Sequence, residues 1–110
     1  MYKIIGGKRY DTTKAVAIIE VTYSTSETDM DEYGEVVTSH EDRREGLYRT
    51  AAGTLFTAAQ ASGDDGEATT VIPVSKYEAL QWAEDRQHRF DINEVIEALG
   101  GAEALGIVDA

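Results

Sequence analysis

Between Glu45 and Ala61 the side chains alternate around a glycine turn, and this stretch constrains the fold more than any other. In "EGLYRTAAGTLFTAAQA", Leu47 and Arg49 point one way and Tyr48 and Thr50 the other. On the return, Leu55, Thr57 and Ala59 alternate with Phe56 and Ala58. Gly53 supplies the positive φ that a short hairpin loop needs. A hairpin of this kind commits the chain to an antiparallel sheet. It also holds Arg49, with Arg43 and Arg44 just before it, and these pair with neighbouring carboxylates in so acidic a chain. Exposed pairs of that sort contribute only about 0–1 kcal/mol, so the hairpin reads as scaffold.

Other elements follow from local signals. "ATTVIPVS" is a third strand, reached through a turn in "SGDDGE", and Pro73 marks it as an edge or an end because proline has no N–H to donate. "MYKIIGGKRYDT" is one short strand or a small ribbon ending at Tyr10. In "DTTKAVAIIEVTYS" two signals compete. Asp11 or Thr12 can cap a helix whose face carries Val16, Ile19 and Tyr23, whereas Val16, Ile18, Ile19, Val21 and Thr22 are β-branched and favour a strand. The cap decides for a helix.

Residues 24–42 are polar and broken by Gly34, which predicts a surface loop with a short strand at Glu35–Thr38. "SKYEALQWAEDRQ" opens on a Ser75–Glu78 capping box and carries an inner arc of Ala79, Leu80 and Ala83, edged by Tyr77 and Trp82. "DINEVIEALGG" places Ile92, Val95, Ile96 and Leu99 at helical spacing and ends at Gly100 and Gly101. The tail "AEALGIVDA" is a helical turn. The expected fold is α+β, a single domain over residues 1–110. It has a small three-stranded antiparallel sheet packed by an N-terminal helix and two C-terminal helices.

Charge is distributed unevenly. The 110 residues carry 21 Asp and Glu against 10 Lys and Arg, a net charge of −11. Such a chain repels nucleic acid, so direct nucleic-acid binding is not expected. The basic residues Lys3, Lys8, Arg9 and Lys14 cluster at the start. Residues 15–42 contain no Lys or Arg, and residues 24–42 hold Glu27, Asp29, Asp31, Glu32, Glu35, Glu41 and Asp42. Carboxylates this dense lie within a Debye length of about 8 Å of one another and build a local negative field. These seven are the candidate partner-binding residues.

Catalytic and metal chemistry find little support. His40 and His88 lie in no metal-binding spacing, and "GGK" at 6–8 lacks the upstream glycine and following Ser or Thr of a phosphate loop. "GDDGE" lacks the spaced oxygens of a calcium loop. No nucleophile, base and orienting group form a set. The expectation is a protein without a cofactor and without enzymatic activity. There are no cysteines, no run of eighteen apolar residues and no visible secretory signal, which fits a cytoplasmic protein away from membranes.

Three blocks, "KIIGGKRYDTTKA" (3–15), "LYRTAAGTLF" (47–56) and "VIPVSKYEALQWAED" (71–85), resemble a family of small proteins carried by phages, plasmids and other bacterial mobile elements. Its pattern is a Lys-Arg-Tyr-Asp-Thr start, a Leu-Tyr-Arg-Thr hairpin and an Ile-Pro-Leu-Ser entry into a helix with Trp-Ala-Glu. The family's second hairpin strand usually has two aromatics after the glycine; here Phe56 stands alone. The resemblance implies an α+β fold with a small antiparallel sheet, and a setting in the cytoplasm of a bacterial host. Some proteins of this look are anti-CRISPR inhibitors that bind a Cas effector.

Two functions follow as expectations. In the first, the acidic segment occupies the nucleic-acid groove of a CRISPR–Cas effector. In the second, the chain is a mobile-element adaptor that binds a protein partner, as a homodimer, through an apolar patch at Trp82 or helix 91–99.

Overall fold

The computed structural model describes residues 1–63 and 66–110. Among these described residues, six strands precede three short helices. They are β1 (Tyr2–Ile5), β2 (Lys8–Asp11), β3 (Val16–Met30), β4 (Val36–Arg49), β5 (Leu55–Gly63), β6 (Gly66–Val74), α1 (Lys76–Asp85), α2 (Ile92–Ala98) and α3 (Ala102–Leu105). β1 and β2 form a two-stranded hairpin, and β3-β4-β5-β6 form a four-stranded antiparallel meander in sequence order. The expected three-stranded sheet with an N-terminal helix is therefore corrected in both parts.

The segment read as a helix, "DTTKAVAIIEVTYS", is a turn over residues 12–15 followed by the proximal part of β3. Its β-branched residues prevail because Val16, Ile19, Val21 and Thr22 each find a partner on β4, with Ile19 opposite Leu47 and Val21 opposite Glu45. Asp11 does accept backbone N–H, but in a turn: its Oδ1 accepts from Thr13 N at 2.9 Å and its carbonyl from Lys14 and Ala15. Residues 24–42, read as a loop, are the distal strands of the same hairpin, paired from Ser24↔Asp42 out to Met30↔Val36. The β4–β5 hairpin, the β6 edge and the C-terminal helices stand as read. The turn predicted in "SGDDGE" falls on residues 64–65, outside the described residues.

The sheet's two faces are covered by different layers. One face carries Ile19, Leu47, Leu55 and Val74, against which pack Ala79 and Ala83 of α1, Val95 of α2, Leu99 and Leu105. The alanines have no exposure, so α1 sits close to the strands. A register shift between Ala17 and Ile19 inserts Ile18 into β3, and both isoleucines join this cluster. Glu45, only 6% exposed on this face, is met by Arg86 Nε at 2.8 Å. The Arg86 guanidinium also lies 4.6 Å from the Trp82 ring centroid. Arg49 pairs with no carboxylate among the described residues, contrary to the sequence reading; its guanidinium donates to the Ala98 carbonyl at the end of α2.

The other face carries Tyr48, Phe56, Ala58 and Val71, covered by Tyr10 of β2. Phe56 stacks on Tyr48 with centroids 5.3 Å apart and takes the Tyr10 ring edge-on at 5.5 Å. Burial, with the Glu20 carboxylate nearby, pushes the Tyr48 phenol up to about 12. A tyrosine bound more tightly to its proton in the fold stabilises it fully below the ordinary value near 10, and that contribution is lost as pH rises from about 10 through about 12. An ultraviolet titration should show a phenolate step near pH 12 that is absent from Tyr48→Phe.

The molecule is long and thin. Its extents are 57 × 41 × 18 Å and its Cα radius of gyration is 17.0 Å. A compact chain of this length has a radius of about 13 Å. The accessible surface of 7444 Å² likewise exceeds the roughly 6,000 Å² of a compact protein of this mass. The reason is that β5 runs out opposite Glu41, at Gly63, while β3 and β4 continue together.

Candidate partner-binding site

Beyond the Thr25↔Glu41 row, among the described residues, β4 has no neighbour except β3. The two strands form a ribbon that projects by about 17 Å before its turn, at about 3.4 Å per residue. An isolated two-stranded hairpin is marginal in water, so the ribbon depends on its root. At the root, Arg44 pairs with Glu20 at 3.3 Å across the strands. The Arg89 guanidinium lies 3.5 Å from the Tyr23 ring centroid and ties β3 to the helical layer.

The tip is a built turn. Asp31 N–H donates to the Glu35 carbonyl at 2.9 Å, and Gly34 N–H to the Asp31 carbonyl at 3.0 Å. Asp31 Oδ1 accepts from both Tyr33 N and Glu35 N at 2.9 Å. Gly34, at φ +77°, takes the left-handed conformation that closes the turn.

The seven sequence-nominated acids therefore divide. Asp31 organises the turn. Glu41 is bound to Arg43, and Asp42 Oδ1 accepts from Ser24 Oγ at 2.6 Å, both at the root. Asp29 lies on the ribbon and accepts from the neighbouring Met30 N at 2.8 Å. Glu27, Glu32 and Glu35 are exposed and, among the described residues, make no side-chain hydrogen bond or ion pair. Glu27 and Asp29, two residues apart on β3, share one face of the ribbon, while Glu32 and Glu35 sit in the turn. The structure thus gathers Glu27, Asp29, Glu32 and Glu35 at the projecting end and leaves Glu41 and Asp42 at its base.

The ribbon also has an apolar component that the charge count concealed. Met30, Tyr33, Val36 and Val37 are 65%, 83%, 68% and 47% exposed, all within the turn and the rows beside it. Residues 36–40, "VVTSH", carry no acid, so the negative charge lies on β3 and the turn and the apolar surface lies where β4 leaves it. The available signal was four apolar residues grouped around Gly34 inside a polar stretch.

The apolar helix patch expected for an adaptor is shared between core and surface, with Trp82, Ile92 and Ile96 half-buried. Val95 and Leu99 are core residues, and Trp82 stacks on Phe90 at 6.1 Å while carrying Arg86 on its ring. Among the described residues, no group of three or more His, Asp or Glu side chains converges as a metal site, and no helix is long and apolar enough to cross a membrane. No family model matches this chain, and no curated protein or solved structure matches it.

Proposed function

We propose that the protein is a non-enzymatic inhibitor that inserts its acidic ribbon into a Lys/Arg-lined nucleic-acid groove of a bacterial effector, a CRISPR–Cas complex being the partner that the sequence resemblance suggests. The observation that carries the reading is the projecting, cation-free ribbon with four exposed carboxylates around an apolar tip. Its physics is competitive. A groove built for a phosphate backbone attracts a compact carboxylate field through the same long-range electrostatics. The exposed Tyr33, Met30 and Val36 supply what charge alone does not, a surface that gains when water leaves it. Tyrosine is among the residues that dominate binding energy at protein interfaces. Blocking by occupancy requires no catalytic group.

Salt dependence tests the reading. Affinity for the effector should fall by about tenfold or more between about 50 and about 200 mM monovalent salt, because the exposed charges are screened. A flat dependence in a binding titration would assign the interaction to apolar contact alone and contradict the ribbon-in-groove arrangement.

A further inference from the structure

At the end of the molecule away from the ribbon, a cleft of about 500 Å³ lies between β2 and the β4–β5 turn. Its volume falls within the range of about 300–1,000 Å³ typical of ligand sites. Three cations, Lys8, Arg9 and Lys14, line it against one carboxylate, Asp11. That carboxylate is already engaged, accepting from Thr13 N at 2.9 Å and Thr13 Oγ1 at 2.7 Å. In a chain of net charge −11 this is a local reversal of sign.

One wall of the cleft is a strand edge. Among the described residues β2 pairs only with β1, through the register Tyr2↔Asp11, Lys3↔Tyr10, Ile4↔Arg9 and Ile5↔Lys8. The Gly6–Gly7 turn, with φ +57° and +78°, is a two-residue hairpin turn, so Ile5 and Lys8 exchange its closing bonds. Hydrogen-bonded rows alternate, and the Thr12 N–H donation to the Met1 carbonyl at 3.0 Å confirms that parity at the far end. Lys8 and Tyr10 therefore direct their backbone groups at β1. The N–H and C=O of Arg9 and the N–H of Asp11 face outward, and among the described residues they have no backbone partner. The Asp11 carbonyl is used by the turn that follows.

We propose that this cleft takes an extended acidic peptide segment of a partner protein, which adds as a strand to β2 while its carboxylates meet Lys8 and Lys14. The outward Arg9 carbonyl argues for a peptide rather than a bare anion. A strand supplies the N–H that this carbonyl needs, whereas a phosphate would meet it as a repelling oxygen. Opposite charge selects acidic side chains. The site is independent of the ribbon, separated from its turn by the length of β3.

The test is fluorescence anisotropy with the intact protein and a labelled six-residue peptide of alternating Glu and Val. Binding is expected, with a loss of about tenfold or more in the double variant Lys8→Glu/Lys14→Glu. Both side chains are exposed, so circular dichroism should be unchanged. The same peptide N-methylated at every backbone amide keeps its charge but has no N–H with which to pair as a strand, and it should not bind. Equal binding of the methylated peptide would overturn strand addition. Binding of inorganic tripolyphosphate without the peptide would make the cleft a small-anion site, and binding of neither would remove the proposal. A ribbon variant should bind the peptide as the parent does, which separates this site from the proposed inhibitory surface.

Discussion

Phe56→Ala is expected to destabilise the fold by about 3–5 kcal/mol, the usual cost of removing a buried phenyl ring and leaving a cavity. Phe56 has no exposure and stands between two aromatic rings from different elements, Tyr48 of the sheet and Tyr10 of the N-terminal hairpin. The site has little capacity to collapse. The Tyr48 ring already lies over Gly46, where a Cβ would meet Tyr48 Oη at 2.5 Å. Set against a total of about 5–15 kcal/mol for a domain, the loss is large. Urea unfolding followed by circular dichroism should show it as a lower midpoint. Tyr33→Ala, at a residue 83% exposed on the ribbon, should leave that midpoint where it is.

Reversal of the four exposed ribbon acids, Glu27, Asp29, Glu32 and Glu35, to lysine is expected to weaken partner binding by about a hundredfold or more without altering the fold. Removing the charges forfeits the attraction, and replacing them sets lysines against a basic groove, where like charges cost several kcal/mol. Asp31 is left in place because its carboxylate holds two backbone N–H groups of the turn, and its loss would confuse shape with charge. Each reversal adds two positive charges, so four take the net charge from −11 to −3. The same change at Glu84, Asp85, Glu97 and Glu103, exposed on or beside the helices, also gives −3 and serves as the control. Loss in the ribbon variant with retention in the control would locate function in the ribbon. Equal behaviour of the two would make the acidity a matter of total charge.

The fold was legible where the signals are local. The Gly53 turn and the Ser75–Glu78 capping box are each written within a few residues, and each forms. Misreading occurred where two local signals competed. Asp11 can accept from a helix or from a turn, and only the pairing of β3 with β4, which joins residues far apart in sequence, decides for the turn. The ribbon was hidden for a different reason. A strand is recognised by one buried and one exposed face, and both faces of the ribbon meet solvent, so no alternation marks it. Its remaining trace was β-propensity at Thr25, Thr28, Val36, Val37 and Thr38. The acidic site was readable as composition. Its division into a turn-forming Asp31, root-bound Glu41 and Asp42, and four exposed carboxylates depended on hydrogen bonds that composition does not carry.

If the ribbon occupies a site that nucleic acid would otherwise fill, the two should compete, which fluorescent target-DNA binding to a panel of purified, guide-loaded CRISPR effectors of different types, with and without this protein, would measure. At least one effector should lose DNA binding, with inhibition relieved as DNA concentration is raised and absent for the ribbon variant. Inhibition that excess DNA does not relieve, inhibition that survives the four reversals, or a panel that is unaffected throughout would contradict such competition.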